Sequence, residues 1–178
     1  LIREREHGTI EHLLVMPVTP LEIMLSKLWS MAVVVLVASS LSLKVVVEGF
    51  LAVDVPGSVL LFGVATLLYL FAAASIGIFM GTLARNMPQF GLMSILVLLP
   101  LQILSGALTP RESMPELVQV LMSFAPTTHY VSLAQAVLFR DAGIGVVWPQ
   151  FLMVAAIGAA FFALAHHRLR QTIGAMQA

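Results

Sequence analysis

The sequence has no cysteine and few charged side chains. Its 178 residues include 9 Lys or Arg and 9 Asp or Glu, so 10% are charged, whereas 60% are hydrophobic. Without cysteine the chain has no disulfide and no thiol nucleophile. Soluble domains contain about 25% charged residues, and this chain has too few to cover a water-facing surface. The composition therefore favours an integral membrane protein, and the net charge of zero gives no indication of nucleic-acid binding.

Motifs for ATP binding, metal binding and hydrolysis are also missing. The sequence has no Gly-x-x-x-x-Gly-Lys-Ser/Thr phosphate loop, no His-Glu-x-x-His or paired-cysteine metal motif, and no Gly-x-Ser-x-Gly. The adjacent His166 and His167 lack the i, i+4 spacing that suits chelation on a helix. We therefore predict no catalytic residue, no metal site and no cofactor bound by this chain.

Four long segments with at most one formal charge predict transmembrane helices, because about 20 apolar residues cross the hydrocarbon core. The expected spans are 28–47, 58–84, 89–109 and 146–165. The first span reaches residue 47 only if Lys44 extends its ammonium group to the interface.

A fifth uncharged stretch, 117–139, has Pro126 and three polar residues at its centre. Proline and polar side chains are costly at mid-membrane depth. The pattern favours one helix, a break, and a second helix capped by Thr127 or Thr128. Residues 111–140 would then form an external hairpin that re-enters the membrane and returns on the same side.

The distribution of basic residues agrees with four spans. With a cytoplasmic N-terminus, six of the nine Lys and Arg residues lie on the cytoplasmic side, as the positive-inside rule requires. A fifth span at 117–139 would instead move Arg168 and Arg170 outside. We therefore expect both ends of the sequence in the cytoplasm.

Residues 1–27 combine a cluster of charge with two helix-start patterns. Thr9 caps a short helix that ends before Pro17, and residues 19–22 form a capping box for the helix that enters the membrane. The apolar residues on one face of the short helix are Ile10, Leu13 and Leu14. Periodicity leaves two interpretations open: the helix rests on the membrane surface, or it docks into the groove of another protein.

Two further features keep a structural and a functional interpretation open. Lys44 and Glu48 lie four residues apart on one helix face near the outer boundary. They form either a self-paired interfacial anchor or a functional intramembrane ion pair. His129 at the hairpin bend is either structural or a substrate contact or proton relay.

Two strings resemble those of ABC-2 type transporter permeases. Residues 3–18, REREHGTIEHLLVMPV, resemble the cytoplasmic segment before the third membrane helix of that family. The second match resembles the stretch after the fifth membrane helix and consists of Ser105, Gly106, Pro110, Met114, Pro115, Leu117, Pro126 and Arg140. The resemblance covers nearly the whole chain.

The resemblance implies one all-α ABC-2 transmembrane domain over 1–178, corresponding to family helices three to six. We expect a longer chain, because the sequence begins at Leu1 rather than Met. The implied ATPase-coupling residues are Glu6, Gly8, Thr9, Glu11, Leu13, Leu14 and Pro17. The implied hairpin residues are Gly106, Pro110, Met114, Pro115, Pro126, His129 and Arg140.

The function implied by the resemblance is export across the inner membrane. A separate ABC ATPase subunit would bind ATP and Mg²⁺, and a second permease subunit, identical or different, would complete the pathway within the lipid. The expected substrate is a drug-like or lipophilic compound, which the sequence does not name. The alternatives are an intramembrane enzyme and a non-transporting scaffold subunit.

Overall fold

The computed structural model describes the backbone of residues 20–177. Side chains are described at residues 22, 25, 26 and 28–171. The expected coupling helix over residues 9–16 lies outside the described residues.

The described residues form helices and contain no β-strand. Helix α1 spans Pro20–Ser42 and continues as a π-helix over Leu43–Phe50. The remaining elements, in chain order, are α2 (Val59–Leu83), α3 (Met87–Ile103), a 3₁₀ turn (Arg111–Ser113), α4 (Glu116–Met122), α5 (Pro126–Arg140) and α6 (Ile144–Gln177).

Side-chain caps define the starts of α2 and α3. The Ser58 hydroxyl accepts a hydrogen bond from the Leu61 N–H at 3.2 Å. The Asn86 side-chain oxygen accepts one from the Gln89 N–H at 2.9 Å. Each cap satisfies an N–H that has no partner within its helix. Helix α5 ends where Asp141 adopts a left-handed conformation with φ of 49°.

Among the described residues, three segments are long and apolar enough to cross a membrane: Leu28–Phe50, Val59–Leu83 and Ile144–Gln171. Helix α3 is apolar but has only 17 residues. It would rise about 25 Å, which is near the lower limit for a span. It ends at Ile103 rather than at the expected boundary of 109, and Gly106 then turns the chain with φ of 97°.

Helix α2 packs against both α5 and α6. Near its first residues, Phe62 and Ala65 are buried together with Leu133 and Val137 of α5 and Val147 of α6. This cluster also includes Leu43 at the end of α1. The end of α1, the starts of α2 and α6, and the second half of α5 therefore lie at one end of the bundle.

The other end of α2 packs against the second half of α6. Ala165 and Leu169 are buried against Ile78 and Phe79. Between the two ends, a Cβ on Gly158 would lie 3.1 Å from both Cα and Cβ of Ala72, so the helices approach closely there. These contacts run in the same order along both helices, so α2 and α6 are parallel.

Helix α5 lies antiparallel to α2. Its second half lies beside Gly57, just before α2, while Tyr130 in its first half contacts Thr66 within α2. Gly57 and Thr66 are nine positions apart, a rise of about 13 Å along a helix. Helix α5 therefore starts beside the interior of α2 and ends beside its first residues.

The expected cap of α5 is wrong. Ala125 occupies the N-cap position without a side-chain hydrogen bond, and Pro126 is the first helical residue. Thr127 and Thr128 therefore lie inside the first turn, where they are 9% and 3% exposed. Proline determines this start, because its fixed φ suits the first helical position and not a position further inside.

Gly57 is predicted to be required for the packing of α5 on α2. A Cβ at this position would meet the backbone of α5, 2.6 Å from the Val137 carbonyl carbon and 2.9 Å from Leu138 Cα. Gly57→Ala in the full-length protein should therefore lower stability by about 1–3 kcal/mol, the usual cost of overpacking. The measurement is the apparent melting midpoint of the purified protein in detergent.

The matched control for this prediction is Gly77→Ala within α2, where nothing lies within 4 Å of the added carbon. Alanine is the better helix former by about 1 kcal/mol, so this variant should be as stable as the wild type or more stable. Equal midpoints for the two variants would contradict the predicted close contact.

Candidate functional site

Lys44 and Glu48 form an ion pair on the π-helical end of α1. The Lys44 ammonium nitrogen lies 2.8 Å from one carboxylate oxygen of Glu48 and 3.1 Å from the other. The side chains are 58% and 28% exposed, respectively. An exposed pair of this kind contributes only about 0.2–1 kcal/mol in water. The pair therefore contributes little to stability, and its importance lies in the charge that it places at this end of the bundle.

His129 connects α5 to the turn that precedes it. Its Nε2 lies 2.7 Å from the Ser123 carbonyl oxygen. A carbonyl oxygen only accepts hydrogen bonds, so Nε2 carries the proton and donates. This bond joins the first turn of α5 to the end of α4.

The residues expected to introduce the hairpin lie in the turns before α4. Gly106 adopts a positive φ of 97°, which favours glycine. Pro110 precedes the 3₁₀ turn, and its carbonyl accepts from the Ser113 hydroxyl at 2.7 Å. Met114 is buried, and Pro115 is the N-cap residue of α4. These residues therefore shape the connection between α3 and α4.

The two remaining predicted hairpin residues lie at the ends of α5. Pro126 is its buried first residue, and Arg140 is its exposed last residue. They are separated by the length of a 15-residue helix, so they do not share a site with each other. The predicted hairpin residues together describe a folded segment and not one reactive centre.

A hydroxyl and aromatic cluster between α2 and α5 was not predicted from the sequence. The Thr66 hydroxyl donates to the Phe62 carbonyl at 2.8 Å, so at the 3.0 Å contact with Tyr130 the tyrosine hydroxyl donates to Thr66. The Tyr69 and Tyr130 rings are stacked, with centroids 4.3 Å apart. The sequence contains only two tyrosines, and a polar threonine within an apolar span was the signal available for finding their contact.

The predicted coupling residues cannot be placed in this geometry. Glu6, Gly8, Thr9, Glu11, Leu13, Leu14 and Pro17 lie outside the described residues. Over the part of the chain that the structure describes, no group of three or more His, Cys, Asp or Glu side chains forms a metal site.

The sequence pattern of the ABC-2 type transporter family matches residues 1–139. Inner membrane transport permease YhhJ of Escherichia coli (strain K12) is 65% identical over 176 residues, which cover 99% of this chain and 47% of the relative. Probable multidrug ABC transporter permease YbhR of the same strain is 29% identical over 169 residues, which cover 91% of this chain and 45% of the relative.

A further relative is probable multidrug ABC transporter permease YbhS of Escherichia coli (strain K12). It is 32% identical over 148 residues, which cover 82% of this chain and 38% of the relative. The chain thus spans about half the length, or less, of the curated relatives that it matches. No solved structure gives a significant match.

The bond from Tyr130 to Thr66 is predicted to stabilise the contact between α2 and α5. Tyr130→Phe keeps the ring stacked on Tyr69 but removes the donated hydrogen bond, so stability should fall by about 1 kcal/mol. Thr66→Val added to the Tyr130→Phe variant should then cost less than Thr66→Val alone, because the coupling is already lost. Melting midpoints of the four full-length proteins measure this cycle.

Tyr69→Phe is the control for Tyr130→Phe. The Tyr69 hydroxyl makes no hydrogen bond among the described residues, so this change should leave the melting midpoint close to that of the wild type. Equal losses from the two tyrosine changes would show that ring chemistry, and not the hydrogen bond, determines the effect.

Proposed function

The chain belongs to the ABC-2 type transporter family, and on that premise we propose that it is part of the permease subunit of an ATP-binding cassette exporter. The match of the family pattern to residues 1–139 is the observation that carries the proposal. In the proposed role the helices form part of the membrane pathway and perform no chemistry on the substrate.

The proposed energy source is a separate ATPase subunit. The sequence has no phosphate loop, so ATP and Mg²⁺ would be bound by the partner. Residues 9–16 would form the coupling helix that docks onto it, with Leu13 and Leu14 on the contact face. Closure of the ATPase subunits would then shift the membrane helices as rigid bodies.

The proposed topology has four spans and a re-entrant hairpin. Arg85, directly beyond α2, lies at the same end of the bundle as Arg168 and Arg170, because the second half of α6 packs against the second half of α2. This arrangement supports a basic cytoplasmic end, as the positive-inside rule requires. The start of α5 beside the interior of α2 supports a hairpin that enters the membrane and returns.

The proposed substrate is a drug-like or lipophilic compound, and the proposed assembly contains two permease subunits. Support for the substrate class comes from YbhR and YbhS, whose names describe probable multidrug ABC transporter permeases. Support for a partner within the membrane comes from α3, which has no buried residue.

The topology is testable by cysteine labelling, since this sequence contains no native cysteine. Glu112→Cys, Arg85→Cys and Arg170→Cys each replace an exposed side chain and would be made separately in a cysteine-free full-length permease. A membrane-impermeant maleimide should label Glu112→Cys in intact cells. It should label the other two only after the membrane is permeabilised. Labelling of Arg170→Cys in intact cells would contradict the four-span topology.

The coupling helix is testable by two substitutions on its surface. Leu14→Ala and Glu11→Gln should each reduce co-purification of the ATPase subunit about tenfold, because a few central residues dominate protein interfaces. Export should fall in parallel, and the permease level in the membrane should stay normal.

The control substitutions have the same chemistry but lie at the end of the bundle that is external in the proposed topology. Leu108 is 75% exposed after α3, and Glu112 is exposed in the 3₁₀ turn. Leu108→Ala and Glu112→Gln should leave ATPase binding unchanged. Normal ATPase binding and export in the Leu14 and Glu11 variants would refute the proposed coupling.

A further inference from the structure

An open cavity of about 590 Å³ lies between the π-helical end of α1 and the connection to α2. Its charged wall contains Lys44, Glu48 and Asp54, and its apolar wall includes Val53 and Val55. Small-molecule sites in proteins typically have volumes of about 300–1,000 Å³ and combine an apolar lining with a few polar groups. This cavity has a volume within that range, and its lining is more polar than is usual for such a site.

The local backbone produces this cavity. Over Leu43–Phe50 the helix is wound as a π-helix, a rare form that occurs frequently at functional sites. The chain then folds back, because the Val53 N–H donates to the Val47 carbonyl at 3.1 Å. Ala52, between these segments, has a positive φ of 49°, which is uncommon for a residue other than glycine. The connection is thereby held beside Lys44 and Glu48.

The charges in the cavity favour a cation. Lys44 contacts both oxygens of Glu48, so these two side chains neutralise each other. Asp54 makes no ion pair or hydrogen bond among the described residues. The cavity thus has one carboxylate in excess beside an apolar wall, and a ligand with a positive charge and an apolar body matches both.

We propose that this cavity binds lipophilic cations, with the cationic group near Asp54 and Glu48 and the apolar body against Val53 and Val55. The site lies at the end of the bundle opposite Arg85 and Arg170, which is the external end in the proposed topology. The inference deepens the proposed export function and rests on it: the cavity would hold the compound where it leaves the membrane.

The test uses tetraphenylphosphonium, a permanent lipophilic cation, and full-length permease in phosphatidylglycerol nanodiscs without ATP or the ATPase. Asp54→Asn removes the excess carboxylate and should weaken binding about fivefold, which corresponds to the strength of an exposed ion pair. Lys44→Gln frees the Glu48 carboxylate and should strengthen binding about fivefold. Equilibrium dialysis measures both dissociation constants.

Two controls separate the cavity from general surface charge. Asp141→Asn removes an exposed carboxylate that does not line the cavity and should leave binding unchanged. Tetraphenylborate has the same shape as the cation but a negative charge, so Asp54→Asn should not weaken its binding. The proposal is wrong if Asp54→Asn has no effect, if Lys44→Gln also weakens binding, or if Asp141→Asn weakens it equally.

A second arm distinguishes a transported cation from the ammonium group of a lipid. If phosphatidylethanolamine in the nanodiscs weakens tetraphenylphosphonium binding to the wild type but not to Asp54→Asn, the cation site is occupied by lipid. If phosphatidylethanolamine has no effect on binding to either protein, the site binds lipophilic cations and not the lipid ammonium group. Because binding is measured without ATP, a permease that shows the expected binding but no export would refute the proposed function and keep the site. Normal export together with the same dissociation constant in the wild type and all variants would refute the cation site and keep the proposed function.

Discussion

Close approach between helix backbones is the constraint on which the rest of this structure depends. Helices in lipid have no hydrophobic driving force toward each other, so packing and interhelical hydrogen bonds hold them together. Gly57 allows the backbone of α5 to contact the chain before α2, and Gly158 allows α6 to approach Ala72. These two contacts keep α5 and α6 against α2, and the orientation of the hairpin and of the last span follows from them.

Two buried hydroxyl groups within the apolar helix α2 are satisfied by carbonyl groups of the same helix. The Ser75 hydroxyl donates to the Phe71 carbonyl one turn earlier at 2.7 Å, as Thr66 does with Phe62. Such internal bonds reduce the cost of a hydroxyl in lipid. Thr66 has capacity to accept one more bond, and Tyr130 of α5 supplies it. The Thr66 hydroxyl therefore makes two hydrogen bonds: one to the Phe62 carbonyl within α2, and one from Tyr130 that links α2 to α5.

The two ends of the bundle differ in chemistry, and this difference connects the fold to transport. One end contains the basic residues beyond α2 and along the last part of α6. The other contains the Lys44–Glu48 pair and Asp54 around an open cavity. In the proposed role, the basic end would face the ATPase and the other end would release the substrate, so the proposal assigns a different task to each of the two unlike ends.

Much of this protein is determined by local sequence. Sparse charge and long apolar runs predict a helical membrane protein, because hydrocarbon leaves no other partners for backbone groups. The prolines predict breaks, and Pro126 does begin a helix. The family resemblance is likewise contained in short strings of residues, and the match to the family pattern confirms it. Lys44 and Glu48 form an ion pair because residues four positions apart lie on adjacent turns of one helix, so their contact could be predicted from the sequence.

Only the tertiary structure decided which distant residues meet. Pro126, a local feature, sets the start of α5, whereas the burial of Thr127 and Thr128 depends on the packing around that start. The contact of Tyr130 with Thr66 spans 64 positions in the chain, so no local pattern pairs these two residues, although a threonine within an apolar span does stand out. The cavity beside Asp54 depends on the change from α- to π-helical winding and on the left-handed Ala52. Local propensities determine where helices begin and end, whereas these features depend on how closely backbones approach, which no single segment of sequence specifies.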